Sequence, residues 1–242
     1  MTTIPDGHRV LAMFPFFNEE ERISQLAPRL DRGLVDEFVA INDGSTDGGP
    51  AILRSFGVTV LDQSRQGVGA CIKRAIRYAQ DNGYDILVVM AGNNKDNPAE
   101  IPRLLQPIFE DKMDYVQGSR FLPGGGSPHL PLFRLFSIKL LSIIFKIYTR
   151  QNVTDLTNGF RAYRLALFKD PRINPWQEWL EGYELEYYIH WKVYKYQYRV
   201  CEVPVTKTYP STKNVPYSKI PPITGWWHML RPFVLLSLGI KK

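Results

Sequence analysis

Five short apolar runs recur along the first half of the chain, at residues 10–16, 38–41, 58–61, 86–90 and 115–117. Each has the length of a strand and is too short for a helix. Between them lie segments of helical period. Residues 70–80 put Cys71, Ile72, Ala75, Ile76 and Ala79 on one face. Residues 51–56 and 100–109 read as two more helices. Asn18 is placed to cap a helix that opens with Glu19, Glu20 and Glu21, acids that suit a helix N-terminus. Strands that alternate with helices dictate an α/β fold with a mostly parallel sheet and right-handed crossovers. The run at 86–90 is wholly apolar, as a strand covered on both faces must be.

In such sheets ligands bind beyond the carboxyl ends of the strands. Polar clusters fall at those ends, at residues 16–19, 42–45, 92–96 and 118–120. Loops are commonly polar, so one cluster would carry little weight. Four clusters in equivalent places predict a binding site.

Composition removes several alternatives. The 44% hydrophobic content supports a large core and excludes a disordered chain. Two cysteines, Cys71 and Cys201, exclude a disulfide scaffold and a Cys-rich zinc module. Cys71 lies on an apolar helix face and reads as core. The four histidines show no metal-ligand spacing. The opening MTTIPDGHRV has no apolar stretch of the kind a cleaved signal peptide carries. No apolar run reaches the ~18 residues of a membrane span.

Charge divides the chain. Residues 1–114 hold 12 Lys+Arg and 17 Asp+Glu, a net −5, whereas residues 115–242 hold 18 and 7, a net +11. A basic, aromatic-rich back half predicts an anionic partner: phosphates, a membrane surface or nucleic acid. Residues 132–148 read as a helix in which Lys139, Ser142, Lys146 and Arg150 form one narrow polar stripe. Leu135, Ile138, Leu141, Ile144, Phe145 and Ile147 occupy the rest. This pattern fits an interfacial membrane helix or a helix packed in a bundle or homo-oligomer. Trp226, Trp227 and the terminal Lys241-Lys242 repeat the membrane-surface pattern. The tyrosine-rich run at 183–198 reads as a helix without assigned chemistry.

Several motifs are familiar. Pro15-Phe16-Phe17-Asn18-Glu19-Glu20 resembles the P-x-Y-N-E opening of family 2 glycosyltransferases, and Asn42 to Gly48 (NDGSTDG) their D-D-G-S-T-D-G loop. Gly67-Val68-Gly69-Ala70 resembles the Gly-x-Gly-x-Ala that starts their next helix. Gly118-Ser119-Arg120-Phe121, Asp155 to Arg161 (DLTNGFR), Glu202-Val203-Pro204-Val205 and Lys213 to Lys219 (KNVPYSK) resemble segments of the dolichyl- and polyprenyl-phosphate hexose synthases within that family. The likeness runs in order from about residue 9 to 220. It implies a GT-A-type fold with a C-terminal acceptor and membrane-surface extension: residues 1–125 for the donor and 126–242 for the acceptor, in one continuous domain. It implies an inverting transferase that moves a hexose from a nucleotide-sugar to a polyprenyl phosphate, peripheral at the cytoplasmic face of a membrane.

The implied donor contacts are Pro15 and Phe17 as an apolar wall, Glu19 and Asp43 on base or ribose, and Gly67, Asn93, Lys95 and Arg120 nearer the phosphates. Arg120, Arg134, Lys207, Lys213 and Lys219 are candidates for the acceptor phosphate. Lys213 stands where the family has an arginine, and Pro216 where a glycine is usual.

Two departures bear on chemistry. Ala91-Gly92-Asn93 stands where the family carries D-x-D, whose carboxylates hold Mg²⁺ or Mn²⁺. A hard cation favours anionic oxygen, which Asn93 lacks. Either Lys95 supplies the charge and no metal is required, or Asp96 moves in beside Asn93 and a metal is kept. The first accounts for both the lost acids and the gained lysine. The second departure is Gly182, which stands where an E-D pair would supply a base. A phosphate acceptor is already anionic and needs none. Asp155 and Glu184 are the carboxylates available for transfer to a sugar hydroxyl, the alternative reaction. Outside enzymes, a basic nucleic-acid-binding protein and a catalytically silent nucleotide-sugar binder are the rival classes. The acidic, ordered strand-end loops argue against nucleic acid.

Overall fold

A computed structural model describes residues 4–5, 7–211 and 224–242; Lys213, Pro216 and Lys219 lie outside them. The chain runs β1 (Val10–Phe16), α1 (Glu20–Leu26), β2 (Glu37–Asn42), α2 (Gly49–Ser55), β3 (Thr59–Asp62), α3 (Val68–Asp81), β4 (Ile86–Val89), α4 (Ile101–Glu110) and β5 (Tyr115–Ser119). The remainder comprises α5 (Leu132–Thr149), β6 (Arg161–Arg164), α6 (Glu184–Lys195), β7 (Val200–Pro204) and α7 (Thr224–Ser237), with short 3₁₀ turns between.

The strands form one sheet in the order β3-β2-β1-β4-β6-β5-β7. β1 pairs in parallel with β2 and β4, and β5 with β7. Side chains alternate across the sheet, so each strand feeds two cores. Leu11 and Met13 pack with Cys71, Ile72, Ala75 and Ile76 of α3 and Leu185, Tyr188 and Ile189 of α6. Val10, Ala12, Phe14 and Phe16 face Ile23 and Leu26 of α1 and Leu104, Leu105 and Ile108 of α4.

Two back-half strands depart from the pattern read in the sequence. β6 inserts between β4 and β5 and is antiparallel to both, pairing Val88 with Ala162 and Val116 with Ala162. Its sequence, RAYR, reads as polar, yet Arg161 is 1% exposed. The guanidinium is satisfied by carbonyls: Nε donates to Asn158 O at 2.8 Å and Nη1 to Glu186 O at 3.1 Å. β7 closes the edge of the sheet beside β5. The two halves of the sequence therefore share one sheet.

Two local expectations change. Asn18 does not cap α1; Glu19 holds the cap position, and Asn18 sits at φ +48°. In α5 the polar stripe is broken, because Ser142 is 7% exposed and turns to the core with Ile138, Leu141 and Phe145. The outer face of α5 is instead apolar: Leu132, Phe133, Phe136, Leu140, Ile143 and Ile147 are exposed.

Candidate active site

β1 is flanked by β2 on one side and β4 on the other, while the connection order runs outward in both directions. Such a point leaves a crevice beyond the strand ends. A cavity of about 500 Å³ opens there, within the range of small-molecule sites. Its walls come from the loops after β1, β2 and β4, the first turn of α5, the start of α6, and residues 207–209.

The loops after β1 and β2 are tied to each other. The Asn18 N–H donates to Ser45 Oγ at 3.0 Å, and Asn18 Oδ1 accepts from the Thr46 N–H at 2.9 Å. Phe17 stacks under the Arg65 guanidinium, 3.5 Å from the ring centroid. Asp43 accepts the N–H groups of Gln66 at 2.9 Å and Gly67 at 3.0 Å, and the Gln63 amide at 2.9 Å. Asp43 thus shapes the turn into α3 as well as lining the cavity. Gly67 does not line the cavity. Its φ of +108° and the carbonyl of Glu181 only 2.8 Å from a would-be Cβ explain the glycine. Gly92 is required by space alone: a Cβ there would lie 2.6 Å from Pro15 O.

Of the sequence candidates, Pro15, Phe17, Glu19, Asp43, Asn93, Lys95, Arg134 and Lys207 all line the cavity. Arg120, Asp155 and Glu184 do not. Arg120 is 4% exposed and forks onto Asp155, with Nε to Oδ2 at 2.6 Å and Nη2 to Oδ1 at 2.6 Å. Its remaining donors reach Thr157 Oγ1 at 2.8 Å and the Tyr209 hydroxyl. Arg120 therefore acts on the cavity through Thr157 and Tyr209, which line it, and has no fork left for a phosphate. Asp155 is fully buried with both oxygens engaged by Arg120, the geometry of a counterion. Its own backbone is anchored by Glu202, which accepts the N–H groups of Thr154 and Asp155. Glu184 is 3% exposed and faces α7, where His228 Nδ1 lies at 2.5 Å and Arg231 at 3.5 Å.

Arg22, Arg65 and Glu186, which no sequence motif singles out, also line the cavity. Arg22 had a local signal: it stands one helical turn after Glu19 and pairs with it at 2.8 Å. Glu186 lies 3.7 Å from Arg161, a partner that no local pattern announces.

The cavity is rich in cations. Burial, and then repulsion from Lys207, Arg22 and Arg134, pull the Lys95 ammonium down to about 8, against a smaller opposing pull from Glu19. Lys95 and Arg134 also approach the face of Tyr209, at 5.4 and 5.8 Å from the ring centroid. Several cations crowded against one cavity mark a place for phosphate oxygens.

The residues present do not suit a hard divalent ion. Asn93 Oδ1 is buried without a hydrogen-bond partner, but it is neutral. Asp96 is 1% exposed with both oxygens spent, on the Ala91 N–H at 2.8 Å and on Lys207 Nζ at 2.6 Å. Among the described residues no group of three or more His, Cys, Asp or Glu is placed to hold a metal.

Residues 12–170 match the family model "Glycosyl transferase family 2". The chain belongs to that family. It is a glycosyltransferase with the GT-A fold. It is 26% identical over 214 residues to a polyprenol monophosphomannose synthase of Mycolicibacterium smegmatis, covering 85% of this chain and 80% of that one. It is 29% identical over 209 residues to an undecaprenyl-phosphate mannosyltransferase of Micrococcus luteus, covering 82% and 83%. Among solved structures, a glucosyl-3-phosphoglycerate synthase from Mycobacterium tuberculosis, in complex with Mn²⁺, UDP and glucosyl-3-phosphoglycerate, superposes with a TM-score of 0.72 at 18% identity, covering 98% of this chain and 82% of that one. The transferase shares that fold.

Proposed function

We propose that the transferase moves a hexose, with inversion, from a nucleotide-sugar to a polyprenyl phosphate. The observation that carries this reading is the set of cations around one cavity at the strand ends, with Arg134 at the α5 side and Lys95 and Lys207 beside the β4 loop. Two phosphate-bearing ligands must meet there. Two of the cavity's carboxylates are committed elsewhere, Glu19 to Arg22 and Asp43 to three N–H donors. A phosphate nucleophile brings its own charge and needs no base. Its oxygen attacks the anomeric carbon, the bond to the nucleoside diphosphate breaks, and the cations stabilise the departing diphosphate. No divalent ion is obligatory in this reading. The relatives named for polyprenyl-phosphate mannosyl transfer support it.

Residues 1–125 then form the donor half and 126–242 the acceptor half. The outer faces of α5 and α7 extend the acceptor half to a membrane surface. They expose Phe133, Phe136, Leu140, Trp227 and Val234, with Leu238 just beyond α7, and neither helix contains an acid. Lys139, Lys146, Arg150, Lys241 and Lys242 add positive charge. No helix among the described residues is long and apolar enough to cross a membrane. The reading places the transferase peripherally, at the cytoplasmic face.

The test is to incubate the protein with undecaprenyl phosphate and radiolabelled GDP-mannose or UDP-glucose and to analyse the lipid phase. A labelled glycosyl phospholipid is the expected product; label appearing only on a sugar hydroxyl acceptor overturns the reading. Glu186 is the observation that favours that second reaction, because it is a carboxylate lining the cavity. Glu186→Gln should leave phosphate transfer within about tenfold, whereas loss of a required base costs ~10²–10⁴.

A further inference from the structure

Residues 95–96 and 207–208 are joined as a short antiparallel bridge. Asp96 sits opposite Lys207, and the Thr208 N–H donates to Lys95 O at 2.9 Å. Two lysines far apart in sequence are thereby fixed on adjoining backbone, and both line the cavity. Lys207 lies in front of Asp96: its side chain is 12% exposed, while that of Asp96 is wholly buried. The Lys207 ammonium donates to Asp96 Oδ1 at 2.6 Å and reaches Asn158 Oδ1 at 3.4 Å. Asn93, on the same loop, lines the cavity and has a buried Oδ1 without a hydrogen-bond partner.

We infer that Lys207 is a tethered cation that occupies the place of a divalent metal, capping Asp96 and, with Lys95, receiving the donor's diphosphate. The inference rests on the reading of this cavity as a nucleotide-sugar site. Charge supports it. A dication held by two carboxylates is neutral overall, whereas Lys95, Lys207 and Asp96 together carry one net positive charge. The cation is covalently attached and already desolvated, so diphosphate binding need not recruit one from solution. It follows that Asp96 Oδ1 is a latent metal ligand, covered by Lys207. Lys207 belongs to the acceptor half by sequence and serves the donor by position.

The experiment measures binding of UDP, GDP and inorganic pyrophosphate by titration calorimetry, with EDTA and with added Mn²⁺. Binding of Mn²⁺ alone is followed by loss of its free electron paramagnetic resonance signal. The wild-type protein should bind its preferred nucleotide equally in EDTA and in Mn²⁺, within about twofold, and leave the Mn²⁺ signal unchanged. Lys207→Met should bind about tenfold or more weakly in EDTA, recover in Mn²⁺, and deplete the Mn²⁺ signal. Lys95→Met should weaken comparably without recovery, because Asp96 stays capped. Should Lys207→Met unfold by stranding Asp96, the Lys207→Met/Asp96→Asn double variant removes both charges; weak binding in EDTA that Mn²⁺ does not restore is then expected. Loss of wild-type binding in EDTA with restoration by Mn²⁺ overturns the inference, as does unchanged binding by Lys207→Met or by the double variant. Failure of all three probes to bind under either condition overturns the nucleotide-sugar reading itself, and this inference with it.

Discussion

Asn18, Asp43 and Asp47 hold the loops after β1 and β2 through backbone N–H groups, whereas the outer faces of α5 and α7 turn apolar side chains to solvent. The first region is built before any ligand arrives. Its carboxylates are satisfied internally, and its φ-positive positions are held by neighbouring loops. The second has a finished inner face, where Phe145 and Tyr187 pack on Phe233, and an outer face of a kind that marks an interaction surface. Hydrogen-bonded, charged loops are thus concentrated at the strand ends beside the cavity, and exposed apolar side chains on the α5 and α7 faces away from it.

The strongest way to break this contrast is Asp155→Ala. It leaves the buried Arg120 without its counterion and should cost ~3–5 kcal/mol of stability, read by urea unfolding. Diphosphate binding should fall as well, because Arg120 positions Thr157 and Tyr209. A loss under about 1 kcal/mol would mean that the pair is not holding the rim. Asp43→Asn comes next. An amide cannot accept from all three N–H donors, so about 1–3 kcal/mol should be lost, together with donor binding.

Lys95 separates stability from binding by pH. Its folded value lies near 8 against an ordinary 10.5, so between those values the unfolded chain binds more protons. Stability of the free protein should therefore rise with pH across that window, and Lys95→Met should remove the slope in thermal melts. Diphosphate binding should run the other way, weakening as pH rises past about 8. The smallest effect on folding is expected at Phe136→Glu, within about 0.5 kcal/mol because the ring is exposed. Flotation with anionic vesicles should nonetheless be lost. Retained flotation would mean that α5 meets something other than a bilayer.

Which parts were legible in the sequence follows the range of the forces. β1, β2, β4 and α3 were readable because each buries a continuous apolar run or face, a property of adjacent residues. β6 was not, because Arg161 is tolerated there only through carbonyls of residues 156, 158 and 186. Phe17, Asp43 and Asn93 were readable as cavity residues because strand ends converge on one side of a parallel sheet. Arg120 and Asp155 were recognisable as important yet assigned to the wrong surface: polar residues in a strand-end loop can face a ligand or each other, and the local pattern is the same. Their partners stand 35 and 89 residues from Arg120.

By itself the sequence determined the α/β alternation, the polar loops at the strand ends, the absence of a carboxylate from Ala91-Gly92-Asn93 after β4, and the excess of positive charge in the back half. Those are counts and spacings, carried by neighbours along the chain. Tertiary structure alone decided that Arg120 grips Asp155, that Glu184 faces α7, and that Lys207 covers Asp96 beside Lys95. Each of these is a pairing of charges in a desolvated place. Such a charge takes whichever opposite group the fold brings within hydrogen-bond reach, and separation along the chain does not enter that choice.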